Sequence, residues 1–169
     1  MLAYAPYDIK AVELLDAVFM STNPDPKYIA RRRNTIIIGV DCLDPSPKSF
    51  ALSMGADLTE TGFDLLLTDI GTDYIVTVGS KEGAEHVAKN AQLRKPTGDG
   101  IAKQKAAREK ALAKYKLSLD AASERLPKLL EGNYDDPYWG SRSASCLSCG
   151  QAHNQRSKGG SGCIYPSPG

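Results

Sequence analysis

The sequence has no long apolar run and no excess of charge of either sign. No apolar segment approaches the roughly 20 residues that a helix needs to cross a bilayer. The net charge of +1 provides no general attraction to nucleic acid or to a membrane surface. The first residues also lack the basic and long apolar regions of a secretory signal. We therefore expect a cytoplasmic protein that binds neither membrane nor nucleic acid.

The chain is also poor in the groups that carry out catalysis. It contains two histidines, and neither has a nucleophile and an orienting group at a spacing typical of an active site. His86 lies alone in a predicted helix, where we expect it to face solvent. The pattern favours a subunit that is not itself catalytic.

Cysteine is scarce and unevenly placed, because three of the four cysteines follow residue 145. In a reducing compartment such crowding favours metal binding over disulfide bonds. The remaining cysteine, Cys42, stands between Asp41 and Asp44 after an apolar strand. Sites gather at the carboxyl ends of strands in α/β sheets. One thiol and two acids without a histidine make no specific ligand set, so we expect a buried structural cysteine.

The apolar periodicity predicts an α/β (α+β) fold, a small mixed sheet with flanking helices. A β-branched run reads as a central strand buried on both faces, and two later runs read as an antiparallel hairpin. The expected helices begin at Asp8, at Asp25 followed by Pro26, and after Ser80. The expected strands are 35–40, 63–69 and 74–79, and the first three helices are 8–19, 26–33 and 81–90.

Three regions are predicted along the chain: an α/β domain over 1–95, a basic helical arm over 96–133, and a cysteine-containing region over 134–169. The arm contains a long polar helix from Ile101 to about Leu119 with a thin apolar stripe. We expect this helix to project from the core or to pack along a partner subunit. It lacks the aromatic interleaving of a single-strand nucleic-acid binder. From Gln151 on the composition changes to Gly, Ser, Pro and other polar residues without packing periodicity, and we expect this tail to be disordered.

The third region carries a Cys-x-x-Cys-Gly motif at Cys146 and Cys149. Two thiols at this spacing can hold one metal or one edge of a cluster, and the glycine permits a tight turn. A ferredoxin-type run would place further cysteines at 152 and 156, where this chain has Ala152 and Arg156.

Other interpretations of this motif remain open. Cys146, Cys149, His153 and Cys163 together form a Cys3His set that suits tetrahedral zinc. The pair could instead act as a redox-active dithiol, although such a pair normally starts a helix after a strand. Both cysteines could also be without a metal ligand.

Several phrases, taken in order, resemble one known family, the iron–sulfur β subunits of cytoplasmic NiFe sulfhydrogenases. The related A subunit of anaerobic sulfite reductase carries similar phrases. The resemblance implies an electron-transfer subunit with 4Fe-4S clusters that relays electrons between a flavin subunit and a catalytic subunit. It also implies that Cys146 and Cys149 are the first two ligands of a cluster. The matching segments are 5–9, 28–39, 53–55, 62–69, 78–83, 137–139 and 146–150.

The chain departs from the family pattern at three places. Tyr7 stands where many relatives have cysteine, and 49–51 reads Ser-Phe-Ala where some have Cys-Phe-Cys. The later cluster motif of the family is absent. We therefore expect an internal fragment of an iron–sulfur protein. The alternative is a zinc-stabilised or metal-free interaction module.

Overall fold

The structure is a computed structural model that describes residues 4–144. This part of the chain divides between Asp120 and Ala121 into two compact units. The first unit contains a small mixed sheet with helices, which confirms the predicted α/β class. No helix within 4–144 combines the length and the apolar character needed to cross a lipid bilayer.

The sheet has three strands in the order β1, β2, β3. β1 (Ile38–Val40) runs parallel to β2 (Leu65–Asp69), and β3 (Tyr74–Val78) returns antiparallel to β2. The predicted hairpin is confirmed, and Gly71 supplies the positive φ of 98° that its turn requires.

The centre of the sheet is β2, so the prediction that the first apolar run forms the central strand is wrong. β1 is shorter than predicted, and on its other side the described residues add one isolated parallel bridge, between Tyr4 and Gly39. β1 starts later than predicted because a helix precedes it directly. The N–H groups of Asn34 and Thr35 still donate to the carbonyls of Arg31 and Arg32 in the last turn of that helix.

Two helices precede the sheet. α1 (Pro6–Asp16) continues into a π-helical turn, and α2 (Pro26–Arg33) begins at the N-cap Asp25, whose carboxylate accepts from the backbone of Lys27. The N-cap predicted at Asp25 is confirmed. Asp8 is not the N-cap of α1. Asp8 is the third residue of the helix, and its carboxylate accepts a hydrogen bond from the N–H of the N-cap residue Ala5 at 3.0 Å.

The apolar core joins α1 to the sheet. Ile9 is fully buried against Ile37, Phe63 and Leu66. Gly39 allows this close approach, since a Cβ there would overlap the side chains of Ile9 and Leu66. The core therefore forms at the amino-terminal half of β1 and β2, and it leaves their carboxyl ends for polar side chains.

Two further helices pack on the sheet. α3 (Lys81–Asn90) begins at the N-cap Ser80 as predicted, and α4 (Gly98–Leu112) follows an exposed connection. Gln104 and Arg108 of α4 contact side chains of the sheet. The expectation that this basic helix projects from the core is therefore wrong. The prediction was based on the thin apolar stripe of this helix. The helix instead packs through polar side chains, which bind buried polar partners.

The second unit, as far as it is described, contains α5 (Leu126–Gly132) and α6 (Pro137–Ser143). Within 121–144 no residue is buried. The boundaries predicted at 95 and 133 stay predictions.

Candidate functional site

The cysteines of the predicted cluster site lie outside the described residues. Cys146, Cys149, His153 and Cys163 all follow Ala144, where the description ends. Their roles as ligands of iron or zinc therefore stay predictions. The structure does describe the helix that leads to them.

That helix, α6, is held by several local contacts. Its N-cap is Asp136, whose carboxylate accepts from the N–H of Tyr138 at 2.8 Å. Trp139 donates its indole N–H to the carbonyl of Asn133. Arg142 lies 4.8 Å from the centre of the Tyr138 ring, a cation–π contact. The chain approaching Cys146 is thus ordered by groups that are largely exposed.

A buried polar cluster occupies the carboxyl ends of β1 and β2. Asp41 follows β1, and its side chain is 1% exposed. Its Oδ2 accepts from the hydroxyl of Thr68 at 2.5 Å and from Nε of Arg108 at 2.8 Å. Gln104 donates to the same Thr68 hydroxyl at 2.9 Å. The other oxygen, Oδ1, is buried and has no hydrogen-bond partner among residues 4–144.

The Asp41 cluster connects two parallel strands to α4. A carboxylate removed from water requires a partner of opposite charge. Arg108, whose side chain is 30% exposed, supplies this partner from α4. Removing either member of this pair should therefore be strongly destabilising, because the other charge would be left buried without a partner.

Cys42 is half-buried next to this cluster. The pKa of the Tyr115 phenol is raised to about 12, mainly by burial and in smaller part by charge interactions with the neighbouring Cys42, Asp57 and Tyr7. The Tyr115 hydroxyl is buried and has no hydrogen-bond partner in the described part of the chain. The fold therefore brings Tyr7 and Cys42 into the same neighbourhood, around Tyr115. A proton on the Tyr115 oxygen is retained up to strongly alkaline pH.

The described residues hold no group of three or more His, Cys, Asp or Glu side chains that could bind a metal ion.

The three arginines at the end of α2 have different roles. Arg32 binds the Asp16 carboxylate through Nε at 2.9 and 3.1 Å, and Tyr28 donates to the same carboxylate at 2.7 Å. Arg31 and Arg33 are exposed, as expected for a solvated helix end. A cleft of about 540 Å³ lies between α2 and α3, and His86 on its rim is exposed as predicted. Its lining mixes both charge signs: Arg33, Glu82, Glu85, His86 and Lys89.

Sequence reasoning missed the connection of Asp41 to Thr68, Gln104 and Arg108. The available signal was Asp41 itself, an acid at the end of an apolar strand that would need a basic partner if buried. The sequence contains many basic residues, and Arg108, the one that binds Asp41, lies 67 positions after it in the chain.

Comparison with known proteins supports one relationship. The sequence is 33% identical over 144 residues to the protein named Sulfhydrogenase 2 subunit beta of Pyrococcus furiosus. This chain is related to a hydrogenase β subunit. The aligned region covers 85% of the chain and 42% of that relative, so the chain spans less than half of the relative's length. No family model matches the chain. No solved structure matches it.

Proposed function

We propose that this chain is part of an iron–sulfur subunit of an oxidoreductase complex of the hydrogenase type. In this proposal the subunit relays electrons between a flavin-containing subunit and a catalytic subunit in the cytoplasm. The observation that supports it is the relationship to a sulfhydrogenase β subunit, combined with the Cys146 and Cys149 pair after α6.

The donor set fits one half of a 4Fe-4S cluster. Two thiolates separated by two residues have the spacing of the first two ligands of a ferredoxin-type run. The positions of the next two ligands are Ala152 and Arg156, so this segment alone does not complete the set. The remaining ligands would come from Cys163, from residues of a longer parent protein or from a partner. A bound cluster would supply one-electron transfer, and the role of this chain would be to hold its edge through Cys146 and Cys149, which follow α6 in the sequence.

Metal analysis after anaerobic purification tests this function. We expect iron and acid-labile sulfide in the wild-type chain and in Cys42→Ser, and loss of both in Cys146→Ser. The Cys42 variant is the matched control, because it removes one thiol outside the proposed ligand pair. Iron bound equally in all three proteins would contradict the assigned ligands.

The same experiment separates the second candidate, a zinc-stabilised interaction module. The set Cys146, Cys149, His153 and Cys163 has the composition of a structural zinc site. A colourless protein that contains one equivalent of zinc, lost in His153→Ala, would replace the electron-transfer proposal. A protein without metal would leave an α/β scaffold that docks partners.

A further inference from the structure

The outer edge of β3 is an unprotected backbone surface. Ile70 donates to the carbonyl of Asp73 at 3.0 Å, and Gly79 donates to the carbonyl of Asp64 at 2.9 Å. These two bonds determine which residues of β3 form hydrogen bonds to β2, because hydrogen-bonded pairs alternate with non-hydrogen-bonded pairs in antiparallel strands. The backbone groups of Ile75 and Thr77 therefore face β2.

The backbone groups of the alternate residues face away from the sheet. These residues are Tyr74, Val76 and Val78. Within residues 4–144 no backbone hydrogen bond connects them to a segment on that side. The connection 91–97 is exposed throughout and forms no backbone hydrogen bond with β3. Each of the three residues thus presents one donor and one acceptor that a further strand could use.

β3 also lacks the features by which proteins usually protect a sheet edge. Its sequence is Tyr-Ile-Val-Thr-Val, without proline, charge or a bulge in its pairing with β2. Tyr74 is 57% exposed and Val78 is 45% exposed. An uncharged strand of high β propensity with a free edge is a template for strand addition.

We propose that β3 pairs antiparallel with β3 of a second copy, about a two-fold axis through Val76. In this register Val76 lies opposite Val76 of the partner copy, and Tyr74 lies opposite Val78. All three pairs are of the hydrogen-bonded kind, since all three residues point their backbone groups outward. The two cross-strand contacts between Tyr74 and valine are aromatic–β-branched pairs, a stabilising combination. The strand is therefore complementary to itself.

Charge also favours the antiparallel direction. Asp73 precedes β3 and Lys81 follows it, and both side chains are largely exposed, at 62% and 85%. Each also has a loose ion-pair neighbour in its own chain, Arg94 at 3.8 Å from Asp73 and Glu85 at 3.9 Å from Lys81. Antiparallel pairing places Asp73 of one copy at the same end as Lys81 of the other. Parallel pairing would place like charges together, which is unfavourable.

Complementary charges at the two-fold axis test the proposal. We expect the full chain to sediment as a dimer. Val76→Lys and Val76→Glu should each raise the dimer dissociation constant by roughly tenfold or more, since like charges directly opposite are destabilising. An equimolar mixture of the two variants should restore the dimer. Thr77→Lys, on the opposite face and away from the axis, is the matched control and should remain dimeric.

A cysteine at the two-fold axis gives a second measurement. A disulfide traps the dimer covalently, so the dimer can be detected even if the substitution weakens it. Opposed Cα atoms in a hydrogen-bonded pair are about 5.5 Å apart, within the range of about 4.4–6.8 Å for a disulfide. Under mild oxidation Val76→Cys should form a covalent dimer that neither the wild type nor Thr77→Cys forms. A monomeric wild type would overturn the proposal, and slow amide exchange at Val76 would then assign the edge to a segment of the same chain. A dimer insensitive to both charges at position 76 would also overturn it.

Discussion

At the scale of single residues, the region around Cys42 is defined by two buried polar atoms. Asp41 Oδ1 and the Tyr115 hydroxyl have no hydrogen-bond partner among residues 4–144. Burying such groups costs free energy, because water would otherwise solvate them. For Tyr115 the consequence is a raised pKa, because burial destabilises the charged phenolate more than the neutral phenol.

The raised pKa of Tyr115 predicts a loss of stability at alkaline pH. The folded protein keeps this proton up to about pH 12, whereas the unfolded chain releases it near its ordinary pKa of 10.0. The folded state then binds more protons, so the free energy of unfolding decreases as pH rises between these values. In Tyr115→Phe this part of the decrease should be absent. The difference between the two proteins in urea unfolding, measured from neutral pH upward, checks the prediction.

At neutral pH the Tyr115→Phe variant should be about as stable as the wild type, because the hydroxyl has no hydrogen-bond partner among residues 4–144 to lose. A large loss of stability at neutral pH would show that this hydroxyl has a partner. Parallel pH profiles of the two proteins would contradict the raised pKa.

At the scale of elements, the helices are held to the sheet by small residues and by side-chain hydrogen bonds. Ser80 caps α3 by accepting from Gly83 at 2.9 Å, and it also donates to Asp64. Asp64 in turn accepts from the N–H of Ile37 at 2.7 Å. One carboxylate thus connects the start of α3 with the segments that enter β1 and β2.

The first turn of α3 predicts an unusual response to alanine. Within a helix, glycine to alanine normally stabilises by up to about 1 kcal/mol. At Gly83 the added Cβ would overlap the carbonyl of Asp64, a backbone atom that cannot move away cheaply. We therefore expect Gly83→Ala to lower the free energy of unfolding by about 2 kcal/mol or more.

Gly98→Ala is the matched control, since Gly98 begins α4 and no atom lies within 4 Å of the added Cβ. It should leave stability unchanged or slightly increased. Thermal and urea unfolding measure both variants. Equal effects at the two glycines would show that α3 does not approach Asp64 closely.

At the scale of the whole molecule, the buried apolar residues of the described chain all lie before Asp120. They run from Ala5 to Ala111, and none is in the second unit. The second unit instead exposes large apolar side chains, among them Leu130, Tyr134 and Tyr138. The stability of the fold should therefore depend on the first unit, whereas metal binding is proposed for the residues after it.

Two truncated chains test whether the first unit ends at the predicted boundary at residue 95 or includes α4. A chain ending at Asp120 keeps Arg108 beside Asp41 and should unfold cooperatively, with a midpoint close to that of the full chain. A chain ending at Lys95 loses α4, and with it the ion pair between Arg108 and Asp41 and the packing of α4 on the sheet, so we expect it to be clearly less stable. Circular dichroism during heating distinguishes them. Equal stability of the two chains would mean that α4 adds nothing to the fold.

Local signals determined much of this protein from its sequence alone. The N-caps Asp25, Ser80 and Asp136 and the hairpin turn at Gly71 were all predictable, because each depends on interactions among residues a few positions apart. The Cys-x-x-Cys motif is of the same kind, and its spacing alone suggests shared ligation.

Tertiary structure alone decided the contacts between distant residues. The central position of β2 and the docking of α4 on Asp41 depend on which surfaces meet in space. Thr68, Gln104 and Arg108 reach one another or Asp41 across 27 to 67 positions of sequence. Periodicity describes one element at a time, so it marks α4 as polar without showing that its polar face meets a buried carboxylate. The free edge of β3 likewise follows from strand order, which no single strand encodes.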